Sequence, residues 1–197
     1  MIFSSNYFGA IPYFQELAKH DRIVIDCHET YKKQTWRNRT KVFDSNGPLL
    51  LSVPVYRPSG SNSKMYEIKI TDHVNWRKDH WKAIYSSYQH SPYFFYYKDR
   101  LKELIYNEEP SLITFNHTIL EQLLNWLDLK IQVDFTSSYI PPAGPEDVRV
   151  HLDKKKFNIT QKRYIQVFSD KNEFVPNLSI LDLLLNEGPL ARNYITG

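Results

Sequence analysis

Residues 22–26, RIVID, are apolar on both faces, as expected for a strand in the interior of a sheet. Before them, IFSS (2–5) reads as a short strand and Asn6-Tyr7-Phe8-Gly9 as a turn. A helix is expected over 10–19, where Pro12 falls in the first turn and breaks no helical hydrogen bond. Strand, glycine-containing turn, helix and buried strand together make a βαβ unit. The fold class that follows is α/β (or α+β), a mixed sheet opening with that unit.

Further along, 39–44 and 49–55 flank Ser45-Asn46-Gly47, a strong short-range signal for a β-hairpin. Pro54 marks a strand end or edge. Residues 57–64 are a polar loop. MYEIKIT (65–71) alternates, Tyr66, Ile68 and Ile70 facing away from Met65, Glu67 and Lys69, as a half-buried strand would. A mid-chain block of three helices follows. The first covers about 74–89, capped by Thr71 or Asp72, with Trp81, Ile84, Tyr85 and Tyr88 as its apolar stripe. The second runs from Pro92 to about 107, and the third is capped by Ser111. IQVDF (131–135) is a strand, YIQVF (164–168) a strand or extended segment, and 178–186 a short helix ending near Gly188. The segment 141–163 is Pro-rich and then highly charged, and reads as a mobile surface loop that could serve as a lid. With no linker and no internal repeat, the 197 residues make a single domain.

Several function classes drop out on composition. A net charge of +3 is too small for a dedicated nucleic-acid binder. The sole cysteine, Cys27, rules out an intrachain disulfide and a Cys-rich zinc site, and favours a reducing compartment. The N-terminus lacks the basic and apolar regions of a signal peptide, and no apolar run reaches membrane-spanning length. A cytoplasmic protein without membrane insertion is expected.

Candidate chemistry centres on YKKQTWRNR (31–39). Lys32, Lys33, Arg37, Arg39 and nearby Lys41 surround Tyr31 and Trp36, directly after the strand that ends in Asp26. A basic-aromatic loop beside a carboxylate suits a phosphorylated or sugar-bearing ligand, with Arg39 as a bidentate clamp and Lys33 and Asn38 beside it. With 14 Tyr, 11 Phe and 4 Trp, the chain has rings to line such a cleft, and Tyr7, Tyr31 and Trp36 are the candidates. Parallel first and second strands would place Asn6 and Asp26 at carboxyl ends, where open α/β sheets bind ligands. Asp26 is then a candidate general base, the alternative being a loop cap or a partner for Arg37 or Arg39.

His80, one helical turn beyond Trp76, is a second candidate base, or else a packed histidine bonded to a neighbour. Asn116 lies on the buried side of its helix and either braces a loop or touches ligand. Cys27 and His28, taken as adjacent strand residues, point to opposite faces and make no dyad. Asp147, Arg149 and His151, if extended, would line one side of the charged loop and could close over a ligand. No histidine pair has metal-ligand spacing, no cofactor motif is present, and neither a Walker loop nor GxGxxG occurs.

The order NYFGAIPYF, IVID, YKKQTWRNR, LSVPV, W-x-x-x-HW, SPYFFYYKD, FN at 115–116, YIQVF and PNLSILDLLLNEGP resembles the WbqC-like family of bacterial proteins over nearly the whole chain. The family pattern falls on Asn6, Tyr7, Pro12, Tyr31, Asn38, Arg39, Trp76, His80, Tyr88, Pro92, Asp99 and Asn116, none with a family-established catalytic role. This chain reads SSNY where better-known members read QPNY, so no glutamine role carries over. The resemblance implies a cytoplasmic transferase of surface-glycan (O-antigen-like) biosynthesis, acting on an activated sugar or its amino group and binding a nucleotide-sugar or similar phosphorylated ligand. The alternative is a non-catalytic binding or scaffold protein of such a pathway. The opening topology also resembles nucleotidyltransferases with an HxGH loop, but their histidines have no counterpart here.

Overall fold

In the computed structural model, residues 1–144, 147–152 and 161–197 are described. The βαβ unit is present: β1 (Ile2–Phe3), α1 (Ile11–Leu17) and β2 (Arg22–Ile25). Pro12 sits in the first turn of α1. β2 is the centre of an all-parallel sheet of three strands, with β1 on one side and β7 (Gln132–Phe135) on the other. Ile23 and Ile25 are buried, while Arg22 at the strand's start is exposed. All three strands present their carboxyl ends at the same edge.

The hairpin forms as expected from Asn46-Gly47. β3 (Arg39–Asp44) pairs antiparallel with β4 (Gly47–Ser52), Arg39 opposite Ser52 and Asp44 opposite Gly47. Gly47 takes φ +110°, which only glycine adopts freely, and the Asp44 carboxylate accepts the Asn46 amide at 2.7 Å. β5 (Val55–Tyr56) and β6 (Lys69–Ile70) make a second small antiparallel pair.

The alternating segment 65–71 is mostly not a strand. Met65–Glu67 form a 3-10 turn, and only Lys69–Ile70 pair. The Met65 and Tyr66 amides bond the Glu29 and Cys27 carbonyls, so this stretch buttresses the loop after β2. Met65, Ile68 and Ile70 are buried while Tyr66 is exposed, a turn-like spacing that alternation alone does not reveal.

The three mid-chain helices are α2 (Trp76–Tyr88), α3 (Phe94–Tyr106) and α4 (Leu112–Trp126). α2 starts after Asn75 rather than after Thr71 or Asp72. Asp72 instead accepts from the Trp76 indole and the Arg77 guanidinium. The buried face of α2 is also rotated from the expected stripe. Trp76, His80, Ile84 and Tyr88 are buried, Trp81 is half-buried and Tyr85 is exposed. Trp76 and His80 belong to a ring cluster with Tyr7 and Phe115, and this packing sets the rotation.

Within 141–163, residues 145–146 and 153–160 lie outside the described residues. The described part includes α5 (Val148–His151), so Asp147, Arg149 and His151 are not an extended row. Asp147 caps α5 by accepting the Arg149 amide at 2.9 Å. Residues 164–166 are unpaired, yet Tyr164 and Gln166 are buried with Ile165 exposed between them. Their side chains anchor on Asp182 in α6 (Ile180–Glu187). α7 (Ala191–Thr196), not foreseen from sequence, closes the chain against α1.

Between α6 and α7, Gly188 takes φ +56°, and a Cβ there would lie 2.4 Å from the Tyr93 ring. Backbone strain and overlap add, so Gly188→Ala should lower the unfolding free energy by about 3 kcal/mol in urea titration.

Candidate functional site

The loop after β2 owes its shape to two buried carboxylates. Asp26 Oδ1 accepts the His28 amide at 3.1 Å and the Glu29 amide at 3.0 Å, turning the chain as it leaves the sheet. Glu29 accepts from Arg37 Nε at 2.8 Å and Nη2 at 2.6 Å, a bidentate pair with Arg37 fully buried. Ser4 joins it, accepting from Arg37 Nη2 at 2.8 Å. Asn116 Nδ2 donates to the Arg37 carbonyl at 2.8 Å and to Ser5 Oγ at 3.0 Å, bracing the loop from α4. Of the two arginines in RNR, the first is thus a core residue, and the second is half-buried at the start of β3.

That arrangement puts Tyr31, Lys33, Gln34, Asn38, Arg39, Val55 and Arg57 around one concavity of 300 Å³. Among the described residues, its lining carries three cations and no carboxylate. Four residues singled out from sequence are brought together here: Tyr31, Lys33, Asn38 and Arg39. Arg57 and Gln34 were missed. Hairpin register holds a clue to Arg57: Arg39 faces Ser52, and the chain returns past that end of the hairpin through β5.

Two buried polar atoms here have no hydrogen-bond partner among the described residues. They are Asn38 Oδ1 and Arg39 Nε. Asn38 Nδ2 is engaged, donating to the Val53 carbonyl at 2.8 Å, so the amide is fixed with its oxygen free. Both residues line the concavity. Burial pushes the Tyr31 hydroxyl up to about 12, against the pull of Arg37, Arg39 and Arg57. It stays protonated at neutral pH and can donate to an anion.

The remaining expected residues lie elsewhere. Asp26 and His80 do not line the concavity. Asp26 is fully buried, and its Oδ2 pairs at 2.5 Å with Nη1 of Arg149, a partner from α5 rather than Arg37 or Arg39. Arg149 also donates to the Ile140 carbonyl and to Asp147, and this second contact holds the Asp147 carboxyl down to about 2. His80 Nδ1 lies 2.9 Å from the Tyr7 hydroxyl. Burial lowers the imidazole to about 4, outweighing a hydrogen bond to the Ser52 backbone and the charge of Asp79, so it is neutral near pH 7. Tyr7 is fully buried, and Trp36 is half-buried against the core, its carbonyl accepting the Tyr7 amide. Asn6 lines a small cavity beside Asn116 and His117.

Cys27 and His28 do meet, contrary to the expectation for strand neighbours. β2 ends at Ile25, and in the bend that follows Cys27 Sγ lies 3.2 Å from His28 Nδ1. Among the described residues no three His, Cys, Asp or Glu side chains gather as metal ligands. Nor is any helix there long and apolar enough to cross a membrane.

The profile of the WbqC-like protein family matches residues 4–165. The chain is similar to the uncharacterized protein Rv1507c of Mycobacterium tuberculosis (strain ATCC 25618 / H37Rv), 26% identical over 225 residues, covering 98% of this chain and 96% of that protein. No solved structure matches it.

Proposed function

The chain belongs to the WbqC-like protein family, and on that premise we propose that it binds a phosphorylated sugar derivative in the Tyr31–Arg57 concavity and acts on it as a transferase of surface-glycan biosynthesis. One observation carries the ligand class: three cations and, among the described residues, no carboxylate line one concavity with Tyr31 and Asn38. A phosphate supplies oxygens to Arg39, Lys33 and Arg57. Tyr31 is the aromatic wall. The pathway rests on the family resemblance, since fold and family alone do not fix a reaction.

A non-catalytic binding role is the second reading. It is favoured by Asp26 and His80 both being buried away from the concavity. It is also favoured by the exposed rings of Phe95 and Tyr96 on α3, which suit a partner surface.

A thermal-shift screen against nucleotide-sugars, nucleoside triphosphates and acyl-CoA tests the ligand class. A nucleotide-sugar at 100 times its Kd should stabilise the wild type by about 2.7 kcal/mol. Arg39→Ala should remove most of that shift while leaving the free protein's Tm within a few degrees. A shift that survives the substitution places binding elsewhere. Binding without turnover of the nucleotide-sugar favours the second reading.

A further inference from the structure

At the carboxyl edge of the sheet, outside the basic concavity, Asp26, Cys27 and His28 from the end of β2 meet Thr136 from the end of β7. One assignment of the hydrogen atoms satisfies the contacts of this cluster together. Asp26 Oδ1, within 3.3 Å of Thr136 Oγ1, can only accept, so the threonine hydroxyl donates to it. Thr136 Oγ1 is then an acceptor for its other neighbours. The Cys27 amide donates to it at 3.2 Å, and His28 Nδ1 lies 3.1 Å away. With the threonine proton committed to Asp26, Nδ1 carries the ring proton in this network. The Cys27 thiol donates to the Thr136 carbonyl at 3.1 Å, so its sulfur faces Nδ1 as an acceptor too. With Nδ1 protonated, the neutral ring has its lone pair on Nε2, to which no described group bonds. His28 is half-buried beside the Tyr66 ring, at the sheet edge where open parallel sheets place their chemistry.

The geometry points to His28 as a catalytic residue of this protein, its Nε2 accepting a proton from a substrate hydroxyl or ammonium group, with Thr136 and Asp26 as positioning residues. Arg149 completes the chain by fixing Asp26 through its other oxygen. The arrangement is a carboxylate–hydroxyl–imidazole relay that holds the ring in one tautomer. The thiol of Cys27 serves as a fixed neighbour, its proton already committed. None of this depends on the ligand proposed for the basic concavity, so either assignment can fail alone.

Two measurements on the full chain test it. In 15N-resolved imidazole spectra, His28 should appear as the Nδ1-protonated tautomer. Thr136→Val should shift it toward the Nε2-protonated form, and Thr136→Ser should restore it. A merely structural threonine would leave the tautomer unchanged.

The second probe is p-nitrophenyl acetate. His28 Nε2 takes a proton from water as the water oxygen bonds the acetyl carbon. The ester C–O bond then breaks, p-nitrophenolate leaves, and the imidazolium returns its proton to solvent. His28→Gln should slow protein-catalysed release at least about fivefold, a modest share of what a positioned base supplies. His73→Gln and His90→Gln, at exposed histidines, should leave it unchanged. An Nε2-protonated His28 in the wild type, or release unaffected by His28→Gln, overturns the assignment.

Discussion

Arg37→Ala should destabilise the protein by about 3–5 kcal/mol, the cost of leaving a buried charge without its partner. Arg37 is fully buried, and its fork spans both oxygens of Glu29. Removing it leaves the Glu29 carboxylate in the core without its counter-charge, with Ser4 Oγ still donating to it at 3.2 Å. The loop that carries Tyr31, Lys33, Asn38 and Arg39 would also lose the anchor beneath it. The effect should therefore appear twice: as a lower urea midpoint, and as lost ligand response in the thermal-shift screen. Arg37→Lys should recover only part of it, because an ammonium cannot match two carboxylate oxygens in the plane of a fork. The double variant Arg37→Met/Glu29→Gln separates charge from shape. If the cost lies in the uncompensated carboxylate, the pair should be markedly more stable than Arg37→Ala, and a double-mutant cycle over these sites should give a large coupling. A cost for Arg37→Ala within ~1 kcal/mol would mean that water reaches Glu29 easily, and the core position of this arginine would have to be abandoned.

The second large effect is hidden in the wild type because two buried groups oppose each other. His80 is lowered from 6.5 to about 4, chiefly by burial. Between those values the unfolded chain binds the proton and the folded chain does not, so stability falls as pH drops from about 6.5 to 4. Asp182 is raised from 3.8 to about 6, again chiefly by burial, against the hydrogen bonds of Tyr164, Tyr88 and Gln166. There the folded chain holds the proton that the unfolded chain has lost, so stability rises as pH drops from about 6 to 4. Each amounts to about 3 kcal/mol, and over this window they nearly cancel. Asp182→Asn should uncover the His80 contribution, with stability falling about 3 kcal/mol further than wild type between pH 6.5 and 4. His80→Gln should uncover the opposite slope. Urea unfolding at half-unit pH intervals measures both as variant minus wild type. Parallel profiles for all three proteins would show that neither group titrates differently on folding.

Features set by short-range chemistry are legible in the chain itself. RIVID could only be an interior strand, Pro12 placed the first turn of α1, and Asn46-Gly47 set the hairpin, because each rests on backbone geometry or on burial of one short segment. The grouping of Tyr31, Lys33, Asn38 and Arg39 was legible for the same reason: they lie within nine residues of one loop. What tertiary structure decided were pairings between distant segments. Sequence spacing could not tell that Arg149 would take Asp26 from 123 residues away, or that Arg37 and not Arg39 would be drawn into the core. The rotation of α2 was set by rings from two other segments, Tyr7 and Phe115. Residues 65–67 became a turn whose Met65 and Tyr66 amides bond the loop after β2. Periodicity reports which side of an element is apolar; which buried charge meets which partner is a property of the whole packed chain.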